Sequence, residues 1–255
     1  MLPQLRRVLE PVVPVRFGDT QALVSMVIPC LDEEAAIGAL VGALIAFGVD
    51  EVIVVDGGSR DRTCEIARAA GARVVVDPRP GYGRACATGV ASVRADTEIV
   101  AFMDGDGSDD PAAVAAIIGP VAREEADFCL ASRLAHEREP GSMSAVQVLA
   151  GRLAGLLMFL RYGVRYTDMA PFRALRRDRL ASLGMSEQTY GWNLEMQMRV
   201  AAARLRVREV PVRCRRRAGG RSKVSGQWRA APSAAVNLTL TFLRLAARLR
   251  ADRVR

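Results

Sequence analysis

Five short apolar runs, each followed by a segment of helical length, leave this chain few folds to choose from. They are Leu23-Val-Ser-Met-Val-Ile28, Glu51-Val-Ile-Val-Val-Asp56, Arg73-Val-Val-Val76, Glu98-Ile-Val-Ala-Phe-Met103 and Asp127-Phe-Cys-Leu-Ala131. Their length and β-branched content read as strands. Helices are expected from Asp32 to about Phe47, from Asp61 to Ala70, from the Gly81-Tyr-Gly loop to near Ala95, and from Pro111 to about Glu125. Strands alternating with helices in this way build an α/β domain, a mostly parallel, right-handed sheet with helices on both faces.

The fourth strand ends abruptly in carboxylates, Met103-Asp-Gly-Asp-Gly-Ser-Asp-Asp-Pro111. Gly105 and Gly107 keep the backbone thin around Asp104 and Asp106. Asp110 is placed to cap the next helix, with Pro111 at its first position. Two neighbouring carboxylates repel, and a hard divalent cation such as Mg²⁺ or Mn²⁺, shared with phosphates, relieves the repulsion. An EF-hand is excluded, because its glycine position holds Asp109 and its glutamate position holds Ala115.

The first strand ends in Pro29-Cys-Leu-Asp-Glu-Glu34 and the second in Asp56-Gly-Gly-Ser59. With Asp104-Gly-Asp106, these tips are expected on one edge of the sheet, where a nucleotide sits in open α/β folds. A dinucleotide-binding Rossmann domain needs a Gly-rich turn after the first strand. The carboxylates found there repel pyrophosphate.

At 255 residues, half of them hydrophobic, the chain can form one large domain with a modest appendage. The expected organisation is a lead-in over 1–21, a main domain over 22–226, and a basic loop leading into an amphipathic C-terminal helix over 227–255. Five scattered cysteines suggest reduced core residues. His136, the only histidine, lies in a polar loop, which argues against a Ser-His-Asp triad. Residues 1–20 are too broken by proline and charge for a signal peptide or membrane span.

Charge is concentrated late in the chain. Between Arg199 and Arg229 eleven Lys or Arg face one acid, Glu209, a local +10 against +8 for the whole chain, so the rest carries −2. Interleaved aromatics are lacking there, which favours a phosphate or an anionic membrane over nucleic acid.

Taken together these segments resemble the family 2 glycosyltransferases of the GT-A fold, and among them the polyprenyl-phosphate (dolichyl-phosphate type) sugar synthases. The resemblance rests on Val27-Ile-Pro-Cys-Leu-Asp-Glu-Glu34, Val54-Val-Asp-Gly-Gly-Ser-Arg-Asp-Arg-Thr63, Gly81-Tyr-Gly-Arg84, Met103-Asp-Gly-Asp-Gly-Ser108, Ala131-Ser-Arg133, Asp168-Met-Ala-Pro-Phe-Arg-Ala174 and Arg217-Ala-Gly-Gly-Arg-Ser-Lys223. It implies that Pro29, Leu31, Glu33 and Asp56 hold the base and ribose of a nucleoside diphosphate sugar. Asp104 and Asp106 place the metal on its diphosphate, with Asp106 the direct ligand. Arg217, Ser222 and Lys223, with Arg133 nearby, fold over the site and bind phosphate. The family inverts the anomeric centre in a single displacement. The chain departs from the pattern at Asp32, where Asn is common, and at Asp168-Met-Ala-Pro-Phe-Arg173, where Ser-Gly usually precedes Phe-Arg.

The expectation is an inverting, metal-dependent hexosyltransferase using UDP-glucose or GDP-mannose. Its acceptor is a polyprenyl phosphate at the inner face of the cell membrane, or alternatively a soluble hydroxyl. A hydroxyl acceptor needs a carboxylate base, and Glu195 and Asp168 are the candidates. Glu195 equally suits an ion pair with an arginine. Tyr190 and Trp192 are placed to shape a sugar site. Two apolar stretches, Ala145–Tyr162 and Ala234–Arg250, fit a membrane interface, packing on the sheet, or a dimer contact. Other classes consistent with the sequence are a nucleotidyltransferase and a basic non-catalytic binding protein.

Overall fold

The computed structural model describes residues 22–134, 139–218 and 231–254. The lead-in over 1–21, His136, Ser222 and Lys223 lie outside the described residues. Seven strands form one sheet: β1 (Val24–Cys30), β2 (Glu51–Asp56), β3 (Arg73–Val76), β4 (Ile99–Phe102), β5 (Phe128–Ser132), β6 (Arg173–Arg176) and β7 (Val207–Pro211). Their order is β3-β2-β1-β4-β6-β5-β7. All neighbours are parallel except β6, which runs antiparallel between β4 and β5.

Period-two alternation sends side chains into a separate core on each face. Met26, Ile28, Val52, Val54, Ile99 and Ala101 point to one. There they meet α1 (Glu34–Ala46), α2 (Thr63–Ala69) and α4 (Val114–Ala122). Val27, Ile53, Val55, Val100 and Phe102 point to the other. That face carries α3 (Tyr82–Ser92), α5 (Ala145–Tyr162), α6 (Arg177–Leu183), α7 (Trp192–Ala202) and α8 (Ala231–Val254). Helices therefore cover both faces, as in the GT-A arrangement.

The sequence pattern does not reveal β6. It opens on Arg173, and a charged residue in a four-residue run hides a buried strand. Arg173 is nonetheless fully buried, donating to the carbonyls of Ala170 and Asn193 and lying over the Phe128 ring. Those partners satisfy a group that would otherwise be costly to bury.

α7 is enclosed by α3, α5, α6 and α8, and nearly every residue from Trp192 to Ala201 is buried. Trp192 meets Phe102 of β4 edge-on, so it belongs to the core and not to a sugar site. The outer layer on this face is made by α5 and α8, which pack side by side.

Candidate functional site

The order β2-β1-β4 brings the three acidic strand tips next to one another. A hydrogen bond from Gly57 N to Cys30 O, at 2.8 Å, ties the first two together. Around the third, a Cβ on Gly105 would collide with Cys30 Sγ, and Gly107 turns the chain with φ of 75°. Both glycines are required by the space and the turn. Asp110 then caps a 3-10 turn, Pro111–Ala113, by accepting from Ala112 N at 3.0 Å.

Asp104 accepts a hydrogen bond from the Tyr82 hydroxyl at 3.0 Å. Low-dielectric surroundings and the adjacent Asp106 charge push its carboxyl up to about 6, against the lowering influence of Tyr82. Asp106 is 2% exposed and accepts from Ser108 N at 2.9 Å, while its other oxygen meets Arg217 Nη1 at 2.8 Å. Asp109 is also buried, and neither of its oxygens has a hydrogen-bond partner. Desolvation, with Arg133 opposing it and the charges of Asp104, Asp106 and Asp168 reinforcing it, pushes this carboxyl up to about 7.

The start of the basic segment lies along this turn. Cys214 bridges to Asp109, Arg215 N donates to Ser108 O at 2.9 Å, and Ala218 N donates to Asp106 O at 3.1 Å. Arg215 also pairs with Asp110 at 2.9 Å. These contacts deliver Arg217 to Asp106. Ser222 and Lys223, assigned to the same loop, lie outside the described residues.

The donor set fits a hard divalent cation. Asp104 and Asp106 stand together with a third carboxylate beside them; the Arg217 guanidinium touches Asp106 directly, and Arg133 acts on Asp104 from further off. No group of three or more His, Cys, Asp or Glu is arranged to enclose a metal by itself among the described residues. That is the arrangement expected where substrate phosphates complete the coordination.

On the nucleotide side, Pro29 is the penultimate residue of β1 and Leu31 is exposed just past its tip. Glu33 precedes α1, its N–H donating to Thr63 Oγ1 at 2.8 Å. Asp56 is buried and turns inward. Its carboxylate takes the N–H groups of Gly58 and Ser59, both at 2.9 Å, and the Ser59 hydroxyl. Its first task is to shape the turn facing the site. Asp32, at φ of 49°, accepts from Arg60 N at 2.7 Å and donates its own N–H to Ser59 Oγ at 2.8 Å, joining the two tips.

Across the sheet, β5 is followed directly by Arg133, which forms a two-pronged pair with Asp168 at 2.7 and 2.9 Å. Asp168 also accepts the backbone N–H groups of Arg133 and Met169, at 3.0 and 2.7 Å. Burial works to raise its carboxyl, but Arg133 and these N–H donors overcome it and the net shift is downward. Glu195 is 1% exposed and occupied elsewhere. It accepts from Ser186 N, Ser186 Oγ, Glu187 N and Arg199 Nε, the last at 2.9 Å. Of its two readings the ion pair is the one realised, and a role as base is corrected: a saturated carboxylate inside α7 offers nothing to an acceptor.

A hollow of about 640 Å³ opens between residues 139–143 and the first turns of α5, lined by Met143, Val148, Leu149 and Arg152 among others. Its outer wall is stitched to the basic segment through Arg216, which donates its N–H to Glu139 and its Nε to Pro140 O.

Two site residues escape a sequence reading. Tyr82 lies in the Gly81-Tyr-Gly-Arg84 signature, but only the fold brings its hydroxyl to Asp104, and its ring stacks on Tyr190 at 6.5 Å. Asp109 looks like a solvated turn residue until burial is known. An acidic residue two positions before a proline-capped helix start is too common a pattern to single it out.

The Glycosyl transferase family 2 model matches residues 25–184, more than half of the chain. The chain belongs to glycosyl transferase family 2. The transferase is 38% identical over 210 residues to an uncharacterized glycosyltransferase of Mycobacterium tuberculosis, covering 81% of this chain and 91% of that protein. Over a shorter stretch of 110 residues it is 41% identical to a glucosyl-3-phosphoglycerate synthase of Mycolicibacterium smegmatis, covering 38% of this chain and 36% of that protein. Among solved structures, the transferase resembles glucosyl-3-phosphoglycerate synthase from Mycobacterium tuberculosis in complex with phosphoglyceric acid. That likeness has a TM-score of 0.69 and 26% identity, and covers 88% of this chain and 80% of that one. The same synthase in complex with Mn²⁺, UDP-glucose and phosphoglyceric acid matches with a TM-score of 0.67 and 25% identity, covering 89% and 80%.

Proposed function

We propose that this transferase moves glucose, with inversion, from UDP-glucose to a polyprenyl phosphate in a Mg²⁺- or Mn²⁺-dependent reaction. The donor and metal assignments are supported by the synthase structures that hold UDP-glucose and Mn²⁺. They favour UDP-glucose over GDP-mannose. In this assignment Pro29, Leu31, Glu33 and the turn shaped by Asp56 receive uridine. Asp106, with Asp104 beside it, holds the metal, which stabilises negative charge on the departing diphosphate.

The observation that carries the acceptor assignment is that both candidate bases are engaged. Glu195 is saturated inside α7, and Asp168 is held by Arg133 and two N–H groups with its carboxyl lowered. A phosphate monoester oxygen is already ionised and needs no base. Its lone pair forms the bond to C1 as the bond from C1 to the β-phosphate oxygen breaks, and that electron pair leaves with UDP. Arg217 and Arg133 are the cations assigned here to orient phosphates, with Ser222 and Lys223; Arg217 would give up Asp106 to a bound divalent cation. The hollow with Arg152 on its rim and Met143, Val148 and Leu149 on its wall suits a phosphate carrying an apolar tail.

A second reading is favoured by the likeness to a synthase solved with phosphoglyceric acid. Here the nucleophile is a hydroxyl, and Asp168 must leave Arg133 to act as base. The deciding experiment measures UDP release from UDP-glucose with Mn²⁺ or EDTA, in the presence of a short-chain polyprenyl phosphate or 3-phosphoglycerate. Metal-dependent release driven by the polyprenyl phosphate supports the proposal. Release driven only by phosphoglycerate replaces it with the second reading.

A further inference from the structure

We infer that the outer face of α5 and α8 is a docking surface for an anionic lipid bilayer. Large apolar side chains meet water mainly on this face. Of the eleven large hydrophobic residues exposed among the described residues, seven lie on these two helices: Leu149, Leu156, Phe159, Leu160, Val236, Leu240 and Leu243. Leu160 is the most exposed of them, at 72%. α5 contains no acid, yet only Gly151, Ala154, Gly155 and Met158 of its 18 residues are buried. Those four make the narrow inward stripe. Leu149, Leu156 and Leu160 recur on the opposite side at seven- and four-residue spacing.

α8 behaves in the same way. Leu238, Phe242, Leu245 and Leu249 pack inward. Arg244 and Arg248 reach the buried Glu187, at 2.7 and 3.8 Å, while their side chains remain about half exposed, and Arg250 is exposed further on. Val236, Leu240 and Leu243 are left facing solvent. Two helices with uncovered leucine and exposed arginine, packed side by side, form one basic, apolar patch. Patches of this kind mark interaction sites.

Charge decides the occupant. The exposed cations among and beside these leucines are Arg152, Arg161 and Arg165, joined by Arg244, Arg248 and Arg250 of α8. Arg161 lies over the Tyr162 ring and Arg165 over the Phe159 ring, both at 5.0 Å. The only acid in either helix is Asp252, at the end of α8. A second copy docked on this face by a twofold axis would set these arginines against themselves. An anionic headgroup layer answers them, takes the leucines below it, and places aromatic rings at the boundary. The patch also runs into the site, since α5 starts at the hollow and its Gly151 lies against Thr167 O and the Asp168 carboxylate.

The test is co-sedimentation of the full chain with vesicles of phosphatidylcholine alone, or of phosphatidylcholine with about one-third phosphatidylglycerol. No donor or acceptor is present, so the outcome is independent of the reaction proposed above. Wild-type protein should sediment with the anionic vesicles. Leu156→Glu with Leu160→Glu should lower that partition about tenfold or more, with the thermal midpoint unchanged. Leu240→Ser with Leu243→Ser, on the other helix, should lower it in the same direction and serves if the first pair unfolds. Absence of wild-type binding, or binding unchanged in both variants and so carried by the basic segment alone, overturns the inference. A concentration-dependent dimer that the same substitutions abolish, without vesicle binding, assigns the face to a second copy.

Discussion

At the scale of single residues the site is a problem in negative charge. Asp104, Asp106 and Asp109 crowd one turn, and Arg217 is the only partner there that carries a formal positive charge directly onto the pair among the described residues. Removing Asp106 removes the favoured metal ligand, so Asp106→Ala should lower metal-dependent UDP release by roughly 10²- to 10³-fold. Arg217→Ala should act in two directions. Freed of its guanidinium, Asp106 should bind Mn²⁺ severalfold more tightly by titration, while turnover falls because a phosphate contact is gone. Unchanged Mn²⁺ affinity in that variant would show that Arg217 does not compete with the cation.

Asp109 gives a prediction with a definite sign. Its folded carboxyl is raised to about 7, above its unfolded value near 4, so across that window the folded state binds a proton the unfolded chain has lost. The stability it supports is fully present below about pH 4 and is lost as pH rises through about 7. Asp104, raised to about 6, acts in the same sense. Asp109→Asn should therefore raise metal-free stability at pH 7.5 by about 1–3 kcal/mol and flatten the dependence, measured as denaturation midpoint against pH. A wild-type midpoint that rises with pH over this range would contradict the assignment.

At the scale of elements, α7 shows how a polar helix is buried. Glu195 pairs with Arg199 one turn later and closes the 186–187 segment, and Gln197 Nε2 donates to Asp168 O at 2.8 Å. Glu195→Gln should cost about 3 kcal/mol because it takes one buried carboxylate charge away from the Arg199 guanidinium. The pH–rate profile of the folded fraction should keep its shape, whereas loss of a general base would remove its acidic limb. The turn after β4 allows a simpler test. Gly107→Ala should cost about 1 kcal/mol for the left-handed backbone alone, read from chemical denaturation. Some elements were legible in advance: α5 occupies the same span as its apolar run, closed by the Ser144–Gln147 capping box and by Gly163 in the left-handed region. β6 was not legible, because burial of Arg173 depends on a carbonyl just before it, at Ala170, and on a distant one at Asn193 that only the fold supplies.

At the scale of the whole molecule, the sheet order puts donor residues from β1, β2 and β4 on one side of the edge and Arg133 and Asp168 on the other. The inserted antiparallel β6 spaces the two. Asp104 and Asp106 would hold a metal only with the help of substrate phosphates, so EDTA should abolish transfer without unfolding the chain. Restored Mn²⁺ should recover activity, with the melting midpoint moving clearly only when UDP is also present. A large midpoint shift from Mn²⁺ alone would mean that the protein encloses the ion by itself.

The sequence alone determined what local patterns encode. Alternating strand and helix lengths specified the parallel strands, strand ends in carboxylate specified which acidic tips share one edge, and ordered motifs pointed to the family. Only the tertiary structure decided questions of availability. Whether Glu195 is a base or a strut, whether Asp109 is solvated or stranded, and whether the leucines of α5 are core or surface all depend on which groups the fold brings alongside. Burial and partnership are properties of contacts between distant segments, and residue spacing carries no measure of them.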